Sequence, residues 1–182
     1  GLDEEGHFST ANDMAKLTAY SLKNPIFQEI VKTKVKKVPN SYEKWDHKWF
    51  NKNKMLSLYE GADGVKTGYT KQSLRCLVSS ATRNEQQLAV VTLNDSDDWI
   101  DHSRLLDYGF KYFPHSQLIV KGAYIEGYPF MSGKSFSYPL LEEELPGITR
   151  KIKLYKNTTT NYRLGERGML YFYKDQLRIG SV

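Results

Sequence analysis

A chain of 182 residues, 40% hydrophobic and 26% charged, is long enough to bury a core and fits one or two globular domains. The net charge of +5 is a modest basic excess, and no block of Lys/Arg interleaved with aromatics marks a nucleic-acid binder. The single cysteine, Cys76, excludes an internal disulfide and a thiolate metal cluster; within RCLVSSA it reads as a buried apolar cysteine.

No apolar stretch approaches membrane-spanning length, and no signal peptide opens the chain. The start, Gly1-Leu2-Asp3, reads as the middle of a longer polypeptide.

Ser9-Thr10-Ala11-Asn12-Asp13 predicts a helix start, with Thr10 or Ser9 as cap and Asp13 in the first turn. Asn24-Pro25 restarts a second helix, with Ile26, Phe27, Ile30 and Val31 as its apolar face. Thr33 to Val38 alternates like a strand. Residues 39–60 read as polar and irregular, anchored by Trp45, Trp49, Met55 and Leu56.

Three strands follow, Val65 to Tyr69, Leu74 to Thr82 and Leu88 to Leu93, the last two joined by a short polar turn. Asp95 to Asp98 caps a helix that stops near Gly109. Beyond Phe113-Pro114 the texture becomes all-β. Runs at Gln117 to Ile125, Lys134 to Leu140, Thr149 to Lys156, Met169 to Tyr173 and Gln176 to Val182 alternate with Gly, Pro and Asn turns. The expected domains are 1–113 and 114–182.

Within GADGVKTGYT, Lys66 sits at the centre of a strand, flanked by residues that weaken strands. A lysine there suits an anion or a neighbour whose pKa it tunes. The Thr67 hydroxyl is a neutral donor suited to a carboxylate. Gly68 removes a side chain so that a ligand can approach the backbone. The N–H of Tyr69 can then point at a developing oxyanion. Read alone, the same string is also a surface strand with a solvated lysine.

The run from Asn51 to Ala81, NKNKMLSLYEGADGVKTGYTKQSLRCLVSSA, resembles the low-molecular-mass penicillin-binding proteins, the serine D-alanyl-D-alanine carboxypeptidases of peptidase family S11. GLDEEGHFSTANDMAKL resembles the segment after that family's Ser-x-Asn motif. LNDSDDWIDHSRLLDYGFKYF resembles the end of its catalytic domain, above all in sporulation-type Gram-positive members.

The resemblance implies an α+β fold: part of a penicillin-recognising catalytic domain, with an antiparallel sheet and flanking helices, then a small β-sandwich. It implies an enzyme that removes the terminal D-alanine from the peptidoglycan pentapeptide through an acyl-enzyme, and that β-lactam antibiotics trap. Lys66, Thr67, Gly68 and Tyr69 would bind substrate, with Lys66 also catalytic and Thr67 on the terminal carboxylate. No metal and no cofactor are implied. The place of action would be the outer face of the bacterial membrane, with a membrane anchor after Val182.

The family's Ser-x-x-Lys and Ser-x-Asn are expected before Gly1, so a missing N-terminal half of the catalytic domain would be a partner and this chain alone would be inactive. Ser41-Tyr42-Glu43-Lys44 has the spelling but falls in a loop after the wrong segment. Two alternatives share the wall: a non-catalytic homologue that binds peptidoglycan or a partner protein, and a β-lactamase. His7 and His102 read as structural, and Lys52 as a solvated lysine close to the cleft.

Overall fold

A computed structural model describes residues 2–42 and 44–182. The chain divides into two compact units, Gly1–Phe110 and Lys111–Val182.

In the first unit, Thr10 begins α1 (Ala11–Ser21) by accepting the Asp13 N–H at 3.1 Å. Its hydroxyl donates in turn to the Asp13 carboxylate at 2.8 Å. Asn24 caps α2 (Pro25–Lys32), accepting the N–H groups of Ile26 and Phe27. Pro25 occupies a first-turn position that needs no donor.

β1 (Val35–Val38) pairs with β2 (His47–Phe50) as a separate two-stranded ribbon, and α3 (Met55–Leu58) follows. The segment expected to be irregular therefore holds a strand and a short helix. Met55 and Leu56 are buried anchors, but Trp45 and Trp49 are 66% and 58% exposed. Among the described residues the ribbon pairs with no further strand, and these rings stay largely exposed.

The main sheet has the order β3 (Ala62–Thr70), β4 (Leu74–Arg83), β5 (Gln86–Leu93), all antiparallel. Asn84 and Glu85 make the β4–β5 turn at φ 48° and 64°, the left-handed pair that a two-residue hairpin requires. Side chains alternate across the sheet. Leu77 and Ala81 meet Met55 and Leu106 of α4 (Asp98–Tyr112) on one face. α2 packs on β3, and α1 on β4 and β5. Removing Leu77 or Leu106 from water contributes about 2 kcal/mol apiece.

α4 runs through Gly109, where a helix end was expected. A Cβ at Gly109 would lie 2.6 Å from the Leu88 Cδ1, so this glycine permits close helix–sheet approach rather than ending the helix.

The second unit joins β6 (His115–Ile119) to β7 (Phe136–Pro139), and orders β10 (Leu177–Ser181), β9 (Gly168–Lys174) and β8 (Thr149–Leu154) in a second antiparallel sheet. Leu118, Ile119, Leu140, Leu170 and Phe172 form its core. Gly180 leaves room for the Phe136 ring, which a Cβ would meet at 2.1 Å. Each expected strand run forms a strand, but the first ends at Ile119 and gives way to turns at Gly122 and Gly127. Glu142–Gly147 is a 3-10 helix. Glu144 there accepts the Leu141 N–H at 2.9 Å and pairs with Lys174. Thr159 caps the short α5 (Thr160–Arg163).

Candidate active site

β3 is an edge strand, and its backbone directions follow from its neighbours. The Thr82 N–H donates to the Gly61 carbonyl at 2.9 Å, and the Arg75 carbonyl accepts the Asp95 N–H at 3.0 Å. Even-numbered residues of β4 therefore turn their backbone groups toward β3, and odd-numbered ones toward β5. In the observed register Lys66 lies opposite Val78 and Gly68 opposite Cys76, so these pairs exchange the ladder bonds. Thr67 and Tyr69 alternate with them and turn their N–H and C=O groups to the open edge. The Thr67 carbonyl is met there by the Lys66 ammonium at 2.5 Å.

A groove of about 560 Å³ runs along this edge. Lys66, Thr67, Gly68 and Tyr69 line it together with His7, Phe8, Met14 and Cys76. All four predicted site residues are thus gathered on one wall. Lys66, Gly68 and Tyr69 are exposed and Thr67 is half-buried. A Cβ at Gly68 would have the Cys76 Cβ as its nearest neighbour, at 3.6 Å, an ordinary contact. Packing does not demand a glycine there. Cys76 is half-buried on the groove wall, with its thiol 3.4 Å from the Ser73 carbonyl, rather than sealed in the core. It faces the bare backbone of Gly68, which shields little.

Sequence reasoning missed the braces of this strand. Buried Asn53 donates to the Gly64 carbonyl at 2.8 Å and accepts the Met55 N–H at 3.1 Å. Asn51 accepts the Asn53 N–H and donates to the carbonyls of Val31 and Thr33. Asp63 collects the hydroxyls of Ser80 and Thr82 and the Gln87 amide. An Asn two residues before a helix was the available signal for Asn53. Lys52, between the two asparagines, is exposed and does not line the groove.

Behind the sheet, His102 is fully buried, its Nδ1 2.6 Å from the Ser79 hydroxyl and its Nε2 3.1 Å from that of Thr92. A neutral ring can donate to one hydroxyl and accept from the other. Burial pushes its pKa down to about 4, against the opposing pull of Asp98, Asp95 and Asp101. Asp98 accepts from one edge of the Arg75 guanidinium, Nη2 at 2.5 Å and Nε at 3.2 Å, and accepts the Trp99 N–H at the start of α4. His7 borders the groove, with its Nδ1 3.2 Å from the Leu2 carbonyl. Of the Ser41-x-x-Lys44 string, Glu43 lies outside the described residues, and neither Ser41 nor Lys44 lines the groove.

An antiparallel sheet between helices, with Lys-Thr-Gly on the edge strand beside a groove, defines the class of the penicillin-recognising peptidases. The chain belongs to the D-alanyl-D-alanine carboxypeptidase family, peptidase S11, whose pattern matches residues 1–97. It is 28% identical over 192 residues to the D-alanyl-D-alanine carboxypeptidase DacF of Bacillus subtilis, a match over 96% of this chain and 49% of that one. It superimposes on the Streptomyces K15 DD-transpeptidase with a TM-score of 0.55 and 32% identity, over 61% of this chain and 45% of the other. A penicillin-binding protein 5 from Haemophilus influenzae covers 100% of this chain with 56% of its own, at a TM-score of 0.64. Its 21% identity speaks for the fold alone. The chain spans about half the length of the curated relatives it matches.

Proposed function

We propose that this chain is part of a serine D-Ala-D-Ala carboxypeptidase that removes the terminal D-alanine from peptidoglycan pentapeptides, outside the membrane. The observation that carries this reading is the open edge of β3. Thr67 and Tyr69 turn backbone groups to the groove, Lys66 stands beside them, and Gly68 leaves the approach bare.

On this reading a peptide ending in two D-alanines lies along the edge. The Thr67 hydroxyl donates to its terminal carboxylate, and the Lys66 ammonium neutralises that charge. Lys66 also favours the deprotonated form of a neighbouring catalytic group. The Tyr69 N–H supplies one of two donors to the oxyanion, where each donor is worth about 3 kcal/mol in the transition state. A serine Oγ attacks the carbonyl, D-alanine leaves with the proton, and water hydrolyses the ester. β-Lactams acylate the same serine.

That serine is not supplied here. Ser9 and Ser73 line the groove, but neither has a lysine three residues on. We assign the nucleophile to the remaining half of the catalytic domain. Leu17, Tyr20, Ile26 and Ile30 on α1 and α2 are exposed apolar residues, which suits a face that more of the domain would cover. The first unit is then the C-terminal portion of the catalytic domain. The second is then an accessory β domain.

The test is D-alanine release from diacetyl-L-Lys-D-Ala-D-Ala by the longer protein that carries this chain. The expected result is release that stops when the terminal residue is L-alanine. Binding of the peptide without release would instead establish a non-catalytic homologue.

A further inference from the structure

The β1–β2 ribbon concentrates the charge of the whole protein. Residues 32–54 hold eight lysines against Glu43 and Asp46, a net of +6, while the entire chain carries +5. All eight lysines are exposed. In the sequence these lysines do not stand out as a basic block, because they are spread over 23 positions. The ribbon's register brings three of them, Lys36, Lys37 and Lys48, onto neighbouring positions, and Lys34 adjoins the start of β1.

Two features of that register point outward. Lys37 lies directly opposite Lys48, a like-charge pair that weakens the ribbon unless an anion meets it. The rings are uncovered on both faces. Trp49 stands opposite Lys36 on one face, while Phe50 shares the other with Lys37 and Lys48. The Lys48 ammonium lies 4.8 Å from the Phe50 ring. Trp45, at 66% exposure, extends the apolar surface beyond the strands. Among the described residues, no ion pair neutralises any of these lysines.

We propose that the β1–β2 ribbon docks on an anionic lipid surface, with its lysines at the phosphate headgroups and Trp45, Trp49 and Phe50 at the headgroup–acyl boundary. Charge complementarity selects the anion. Exposed tryptophans select lipid over a soluble polyanion, because their amphipathic rings prefer the membrane interface. A single-stranded nucleic acid would need stacking rings along one concave groove. Here the rings flank both faces of a narrow ribbon. The inference does not require the peptidase site to be complete, so the 182-residue chain tests it directly.

The experiment is flotation of this chain with vesicles of phosphatidylcholine, with and without about one third phosphatidylglycerol. The chain is expected to float with the anionic vesicles only, and to be released by high salt. Its tryptophan emission shifts to the blue, since Trp45 and Trp49 are two of its three tryptophans. The double change Lys36→Glu/Lys37→Glu weakens binding at least about tenfold. The same reversal at exposed Lys151 and Lys153, in the second unit, has a clearly smaller effect. Trp45→Ala lies outside both strands and removes part of the emission shift even if the charge variant fails to fold. Equal loss from both lysine pairs overturns the proposal, as does equal flotation with neutral vesicles. So does capture by soluble polyphosphate or an oligonucleotide with no vesicle binding.

Discussion

Asn53 donates its carboxamide N–H to the Gly64 carbonyl at 2.8 Å, two residues before Lys66. The same side chain caps Met55, a core residue with no exposed surface. One buried amide thus ties the site strand to the hydrophobic core. Asn53→Ala strands the Met55 N–H and removes that tie. Unfolding in urea should show a loss of about 1–3 kcal/mol. Amide exchange should quicken along β3 before it does along β4.

Two glycines of β3 should respond in opposite ways. A Cβ at Gly64 would lie 2.8 Å from the Ser80 hydroxyl and 3.1 Å from the Val31 Cγ2, so Gly64→Ala forces α2 away from the sheet. That costs about 1–3 kcal/mol. Gly68→Ala meets nothing closer than 3.6 Å and should leave the unfolding midpoint nearly unchanged. Its effect belongs to the ligand. In the longer protein, acylation by benzylpenicillin should slow at least about tenfold, because the added methyl narrows the approach to the edge backbone.

Thr67→Val keeps the shape and removes the hydroxyl. A lost hydrogen bond to a charged group is worth about 1.5–3 kcal/mol, so kcat/KM for the D-Ala-D-Ala peptide should fall roughly 10–100-fold. Steady-state kinetics on the longer protein measures this. A peptide amidated at its C-terminus should lose little from the substitution, since it presents no carboxylate to Thr67.

His102 makes the fold sensitive to acid. Its pKa falls from the ordinary 6.5 to about 4 in the folded chain. As pH drops below about 6.5 the unfolded chain takes up the proton first. Stability is therefore intact above that range, is lost between about pH 6.5 and 4, and levels off below. The loss is about 2 kcal/mol once solvent screening is allowed for. Urea midpoints across this window should fall for the native chain. In His102→Gln the fall should be much smaller, because the side chain no longer titrates.

The regular parts of this fold were legible because local chemistry set them. Thr10 and Asn24-Pro25 announced their helices by capping, and a short polar turn announced the hairpin of the last two sheet strands. The groove wall that carries the candidate residues was legible for a different reason. Lys66, Thr67, Gly68 and Tyr69 are contiguous in one strand, so a short quotation holds the whole constellation. What stayed hidden was long-range. The link from Asn53 to Gly64 spans eleven residues, and His102 meets Ser79 across twenty-three. β2 was missed because its rings and its one lysine, Lys48, carry no buried face, and only its pairing with β1 makes it a strand. Gly109 was misread as a stop, since a glycine that permits close packing looks in sequence like one that ends a helix.

The central claim is that the edge of β3 completes an acyl-transfer site whose nucleophile lies outside this chain. Mass spectrometry of the longer protein after reaction with benzylpenicillin tests it most directly. The account predicts one penicilloyl group per molecule, on a serine outside these 182 residues, and none in a Lys66→Ala variant that still folds. A penicilloyl group on a residue of this chain, or undiminished labelling of the Lys66→Ala variant, would contradict it.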